Sequence, residues 1–367
     1  MKLKIWIGLL GLGALCGLIT TYRVYTTGFI VYAKTDVLVW TLPLATYIFF
    51  SLTSAGLAFV SSIPIVFGIK RFESIKKRTL FLELSVLIGS FVCLILHLGS
   101  PLHVLYLLFS PNIASPLWWL GTLYAIYLIV LLSTFWKIHN AQTSKTLNLL
   151  IFFIAIATST TLGWLLGMTD ARPTLNASFF TMYFPFTAFT SGLAALLLFS
   201  LVSAHFTNQK ISDEMNKLYN ELAKILGIVA GLVLILFLWR SIIGGISSSH
   251  EGYLAFKHMI GSIPYNMELW LGLFIPSLLM LVPSIRLTVW GKITAASLLL
   301  VGMFVGRLEF VLSGVVRPLG QMAEGRPEFV SYMPTISEIL VVVFGLSIML
   351  LLYTLGERYL KLEEVPE

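Results

Sequence analysis

Charge is scarce in this chain. Asp, Glu, Lys and Arg make up only 11% of its 367 residues, against about 25% in a soluble domain. With 57% hydrophobic residues and a mean hydropathy of +0.91, the sequence reads as an integral membrane protein. Cysteine is nearly absent. Cys16 and Cys93 both lie in apolar stretches and form no Cys-x-x-Cys, so the chain offers no ligand set for zinc or an iron–sulfur cluster. Of the six histidines, only His97 falls within an apolar stretch and His205 at the end of one, which leaves no paired axial ligands for a haem b. There is no phosphate-binding loop, no Ser/His/Asp order and no His-Glu-x-x-His, which excludes the ATPase, hydrolase and zinc-protease classes. The net charge of +7 does not indicate a nucleic-acid partner, because the basic residues sit mostly in short loops that orient membrane helices. No small-residue cleavage site follows Met1-Lys2-Leu3-Lys4, so the first apolar stretch reads as a retained helix.

A bilayer core takes about 20 apolar residues per helix. Ten stretches qualify: 5–21, 40–69, 79–98, 116–136, 147–168, 179–205, 222–243, 267–285, 292–312 and 334–356. The second and sixth are long enough to tilt or project. The expected fold is therefore all-α, a single polytopic domain of ten transmembrane helices in the cytoplasmic membrane. With both termini cytoplasmic, sixteen of the 24 Lys and Arg face inward, led by the run Lys70-Arg71-Phe72-Glu73-Ser74-Ile75-Lys76-Lys77-Arg78. The longer loops, 22–39, 244–266 and 313–333, then lie outside, where a partner would dock. Phe50-Ser51-Leu52-Thr53-Ser54-Ala55-Gly56-Leu57-Ala58 recurs as Phe186-Thr187-Ala188-Phe189-Thr190-Ser191-Gly192-Leu193-Ala194. This suggests two four-helix repeats, 40–168 and 179–312, flanked by the helices over 5–21 and 334–356.

Ionisable groups in the apolar stretches concentrate toward one side. Tyr47, His97, Arg240, Glu268, Arg307, Glu309 and Glu338 all fall in outer halves of their spans, and Asp170 and Arg172 follow at the same level. A charge at mid-bilayer costs about 2.5–3.5 kcal/mol, so each is a functional candidate. A quinone head group suits such a site, since it needs a hydrogen-bonding group at each carbonyl, an apolar or aromatic slot and a proton route. Tyr47 and His97 supply polar contacts, with Trp118, Trp119, Trp164 and Trp270 as walls, although Trp at this depth is more often an interface anchor. Glu268 requires a partner or a proton. Arg307 with Glu309 reads as a structural ion pair or as part of a proton path, together with Glu338. Glu83 reads as a solvated helix-start residue. A secondary transporter with a polar site near the outer face is the alternative, and the position of Pro43, Pro185, Pro276 and Pro283 toward helix ends favours a rigid bundle over it.

Several stretches resemble the NrfD/PsrC family of quinol-interacting membrane subunits. They are His97-Leu98-Gly99-Ser100-Pro101-Leu102, then Ser110-Pro111-Asn112, then Ser115-Pro116-Leu117-Trp118-Trp119-Leu120-Gly121. Trp40 to Gly56, Ala171-Arg172-Pro173 with Tyr183-Phe184-Pro185, and Glu268-Leu269-Trp270-Leu271-Gly272-Leu273-Phe274-Ile275-Pro276 with Arg307, Gly314, Tyr332-Met333-Pro334 and Glu338 agree with it. The last set is similar to the ten-helix branch, which includes hydrogenase membrane subunits and DsrP-like proteins. The resemblance implies a haem-free anchor that carries no iron–sulfur cluster of its own. It implies electron exchange between menaquinone or ubiquinone and a four-cluster ferredoxin-like partner, often with a molybdopterin catalytic subunit. It also implies a quinone contact at Tyr47, near a partner face that includes Asp170, Arg172 and Arg317. His97 stands for the family's usual Asp, Ser100 for its Arg, and Thr161-Leu162-Gly163 for its Tyr-Thr-Gly.

Overall fold

A computed structural model describes residues 2–98, 101–169, 172–207, 211–247, 249–319, 323–360 and 362. Every regular element among them is helical. Seven long helices come first: α1 (Lys2–Thr27), α2 (Leu42–Val66), α3 (Glu73–His97), α4 (Pro116–His139), α5 (Lys145–Gly167), α6 (Ala177–Thr207) and α7 (Asp213–Ser247). A short α8 (His250–Gly261), a composite α9 over 263–281, α10 (Val289–Ser313) and α11 (Ile336–Tyr359) follow. Among the described residues, nine helices are long and apolar enough to cross a membrane, namely all but α8 and α9.

The expected span 267–285 is the exception. It begins earlier, at Ile263, and is α-helical over Ile263–Met267, π-helical over Glu268–Phe274 and α-helical again over Ile275–Leu281. Pro276 has no N–H to offer and its ring crowds the carbonyl four residues back, so the ladder ahead of it loosens into an i→i+5 pattern. The helix ends at Val282, whose extended backbone is what a following Pro283 requires. The longest helix among the described residues is α7, at 35 residues. Its acidic first turn, Asp213 and Glu214, suits the positive end of a helix and extends it beyond the apolar stretch.

One end of the bundle carries the Lys70–Arg78 run, Lys137, Lys145 and Arg286 and is called here the basic face. The other end carries the longer connections at 28–41, 98–115, 248–262 and 314–335 and is called the loop face. α2 is the axis. Nearly all of its residues are buried, and it packs on α3, α5 and α6. Its contact with α6 is backbone on backbone. A Cβ at Gly56 would land on the Ala188 carbonyl, and one at Gly192 would land on the Gly56 carbonyl carbon. The two small-residue faces of Phe50–Ala58 and Phe186–Ala194 thus meet each other, the close approach that small residues permit between membrane helices. α1 packs along α11 through Gly13 and Gly17, which face Ser347 and Phe344, and α11 packs in turn on α3 through Gly345 and Gly89.

Candidate functional site

Two polar groupings lie inside this bundle, one in each half. The first is at the loop-face ends of α2, α3 and α4. Tyr47 is buried, with its ring 6.3 Å from that of Tyr124 in an edge-on arrangement. His97 closes α3 and Trp118 opens α4, so the antiparallel run of the two helices puts both near the same level. Four buried polar atoms in this region have no hydrogen-bond partner among the described residues: Thr41 Oγ1, His97 Nδ1, Trp118 Nε1 and Thr122 Oγ1. A buried polar atom left unpaired costs about 1–3 kcal/mol, and four of them stand at one end of α2, α3 and α4. Trp164 does not join them. It lies on α5 with 40% of its surface exposed, in the manner of an interface anchor. Trp119 and Trp270 are likewise outward-facing.

A cap closes this end. The Tyr32 hydroxyl donates to Leu96 O at 3.1 Å, and Thr335 Oγ1 donates to Val31 O at 2.9 Å. Arg326 holds Asp36 through two nitrogens, at 3.0 and 2.6 Å. Lys34 Nζ donates to His97 O at 3.2 Å and lies 4.0 Å from the Phe29 ring centre. Partial burial brings the Lys34 ammonium down from its ordinary 10.5 to about 8, against the opposing pull of the Glu338 carboxylate. Between those values the unfolded chain holds a proton that the folded chain has released, so stability rises with pH across that window. Thermal melts taken from about pH 7 to about pH 10 should show the rise, and Lys34→Met should flatten it. An equal slope in the variant would show that the cap does not desolvate this amine.

Below Tyr124 the structure corrects one expectation. Glu83 is not solvated but wholly buried. The Tyr127 hydroxyl donates to its Oε1 at 2.8 Å, and the Ser61 hydroxyl donates to its Oε2 at 3.3 Å. Ser54 lies against the same Tyr127 hydroxyl at 3.2 Å. The signal was present in the sequence: Tyr47, Ser54 and Ser61 are seven apart, which stacks them on one face of α2, and Tyr124 and Tyr127 are three apart on α4.

The second grouping lies among α6, α7, α9 and α10. Tyr183 stands nine residues before Gly192, as Tyr47 stands nine before Gly56, and its hydroxyl donates to Glu268 Oε1 at 3.4 Å. Glu268 opens the π segment, which turns its carboxylate into the bundle against Gly306. A Cβ at position 306 would meet that carboxylate, so a larger residue there would displace the Glu268 side chain. Arg307 does not pair with Glu309. Residues two apart on a helix point to different sides, and among the described residues the partner of Glu309 is Arg240 of α7, with Nη1 3.3 Å from Oε2. Arg240 also reaches Thr174 O at 3.4 Å and lies over the Phe180 ring. Arg307 lies over the Phe184 ring, within electrostatic reach of Glu268. The four charges Arg240, Arg307, Glu268 and Glu309 balance in pairs. Glu338 stands apart from them. It caps α11, accepting from Thr335 N at 2.8 Å while its own N–H bonds Thr335 Oγ1, and the Tyr332 hydroxyl donates to it at 3.2 Å. Sequence reasoning assigned no site role to Tyr183, Tyr124, Tyr127 or Lys34, and it marked Arg240 by depth alone.

Of the three loop residues expected to face a partner, Asp170 lies outside the described residues. Arg172 Nη1 donates to Arg317 O at 2.6 Å, and Arg317 Nη1 donates to Glu251 O at 2.6 Å. Arg172 and Arg317 therefore tie the connection after α5 to α8 and to the segment after α10.

Comparison with known proteins places this geometry in a family. Residues 31–318 match the model described as polysulphide reductase, NrfD. A Halobacterium salinarum protein named for the membrane component of a dimethyl sulfoxide reductase is 26% identical, covering 98% of this chain and 91% of its own length. A selenate reductase subunit from Mesobacillus selenatarsenatis is 24% identical over 71% of this chain and 70% of its own. The Hdr-like menaquinol oxidoreductase integral membrane subunit of Archaeoglobus fulgidus is 25% identical over 86% of this chain and 82% of its own.

Proposed function

The chain belongs to the NrfD, polysulphide reductase family, and from that premise we propose that it is the quinone-reactive membrane anchor of a multi-subunit oxidoreductase. It exchanges electrons between the quinone pool and an iron–sulfur partner of the four-cluster ferredoxin type, which passes them to or from a catalytic subunit, often a molybdopterin one. The loop face is external and both termini are cytoplasmic, in keeping with the basic residues gathered at the opposite end. The two halves, 40–168 and 179–312, act as paired four-helix units whose contact is the Gly56–Gly192 crossing.

One observation carries this reading: the cluster of unpartnered buried polar atoms around His97 and Trp118 beneath the cap. The donor set fits a quinone ring. The indole N–H of Trp118 donates to a carbonyl oxygen, His97 Nδ1 donates or accepts according to its tautomer, and the Tyr124 hydroxyl does either. When bound, the quinone supplies the electron and proton chemistry that no side chain here provides. Tyr47 braces Tyr124 from behind, and Lys34, against the His97 carbonyl, stands where a proton can enter from the cap. Glu268 and Glu309, with Arg307 and Arg240, serve as a balanced buried network or as part of a proton path, while Glu338 fixes the cap through Tyr332.

The test is a mild-detergent pull-down of the tagged chain from its native membrane, followed by mass spectrometry and quinone extraction. An iron–sulfur partner and bound menaquinone or ubiquinone are expected together. His97→Ala should keep the partner and lower quinol-dependent electron transfer at least about tenfold, the effect of losing one hydrogen bond of about 1.4 kcal/mol. A chain that emerges alone and without quinone overturns the proposal and puts a transporter with an outer-face polar site ahead.

A further inference from the structure

A cavity of about 290 Å³ opens at the loop face of the second half, away from His97. Its walls are Met259 of α8, Leu312 and Val316 at the end of α10, and Phe329 of the following segment. The His258 ring stacks on Phe329 at 3.9 Å and nearly parallel, which holds that wall flat. Glu309, Tyr332 and the serines Ser262, Ser313 and Ser331 supply the polar lining. Only 3% of Glu309 is exposed; Arg240 holds Oε2, the Ser313 hydroxyl of the cavity wall lies beside the carboxylate, and Oε1 has no close, well-aligned donor among the described residues. Glu309 therefore lines the cavity with a buried carboxylate that its ion pair satisfies on one oxygen only.

Three features define the occupant. The free oxygen accepts, so the occupant must donate a hydrogen bond. Arg240 already balances the Glu309 charge, so a cation gains little there and a neutral hydroxyl suits the oxygen better. The walls are apolar with one flat aromatic side, as in sites for small ring ligands. The route of entry agrees. Ile263, beside the lining residue Pro264, and Met333, beside Tyr332, are 76% and 83% exposed, so the rim carries bare apolar side chains of the kind that face lipid.

We propose that this cavity is a second binding site, for a neutral, lipid-borne aromatic ring bearing a hydroxyl of the quinol type, with Glu309 accepting the ring hydroxyl. It is separate from the site around His97, and the two occupy opposite halves of the bundle. Tyr332 connects them: its hydroxyl accepts from Leu42 N at 3.0 Å, five residues before Tyr47, while its side chain lines the cavity.

The test titrates the full chain in its native complex, in mild detergent, with 2-heptyl-4-hydroxyquinoline N-oxide, a hydroxyl-bearing quinol mimic whose fluorescence is quenched on binding. Two equivalents per chain are expected. Val316→Trp and Leu312→Trp, two independent ways of filling the cavity, should each reduce this to one, while His97→Ala weakens the other equivalent at least about tenfold. A single equivalent, weakened by His97→Ala and untouched by both tryptophan variants, overturns the second site and leaves the proposed function standing. A single equivalent lost only in the tryptophan variants supports the cavity and overturns the assignment at His97. No binding to the wild-type complex overturns both. Unchanged partner co-purification and size-exclusion profile confirm that each variant is folded.

Discussion

Replacing Gly192 or Gly56 with leucine is expected to eliminate the folded bundle. At each position the new Cβ would meet backbone atoms of the facing helix, the Ala188 carbonyl from position 56 and the Gly56–Leu57 peptide from position 192. A side chain can turn away from such an overlap, but two helix backbones cannot. Ordinary overpacking of a core costs about 1–3 kcal/mol. Separating α2 from α6 also strips contacts from the most buried helix in the molecule, so a loss above about 4 kcal/mol is expected. Detergent-extracted, fluorescently tagged chain should then run as aggregate on size exclusion. Gly8→Leu is the control, because nothing lies within 4 Å of a Cβ built at Gly8. If Gly192→Leu ran as a sharp peak with wild-type thermal stability, the close crossing of α2 and α6 would be wrong.

Arg240→Met is the second change with a large expected effect, a loss of about 3–5 kcal/mol. The reason is less the ion pair itself than what remains, a buried Glu309 carboxylate without its cation. The double variant Arg240→Met with Glu309→Leu should therefore recover most of the loss, since a buried pair replaced by apolar residues of similar volume is often neutral. Thermal unfolding of the two single variants and the double variant measures the coupling. Additive losses would show that the two side chains do not interact. The exposed pair Arg71–Glu221, although shorter at 2.6 Å, should contribute no more than about 1 kcal/mol, because solvent and salt screen it. Arg307→Met should cost less than Arg240→Met, since Arg307 is held by the Phe184 face and the more distant Glu268 charge.

Much of this architecture was legible in the chain. Among the described residues, nine of the ten apolar stretches form membrane-length helices, because fitting a bilayer depends on local apolar length and needs no knowledge of neighbours. The Ser-Ala-Gly and Thr-Ser-Gly segments marked the closest helix contact, since small residues on one face have few other uses in lipid. The side of the bundle holding Tyr47, His97, Glu268 and Arg307 was also readable, because depth follows from position along a span.

Rotation and pairing were not readable in that way. Arg307 and Glu309 are neighbours in sequence, yet the helix turns them apart and gives Glu309 to Arg240, 69 residues away. Glu83 looked like a helix-start acid beside Lys76, Lys77 and Arg78. Only the packing of α2 and α4 around α3 shows that Tyr127 and Ser61 enclose it. Trp164 has the right depth for a ring wall but the wrong azimuth. The sequence by itself marked nine of the long apolar helices and the place of each polar group along its helix, since both are local properties of the chain. Tertiary structure alone decided which buried charge meets which partner, where the π segment turns Glu268, and which polar atoms are left free to hold a ligand, because those depend on the rotation of each helix against its neighbours.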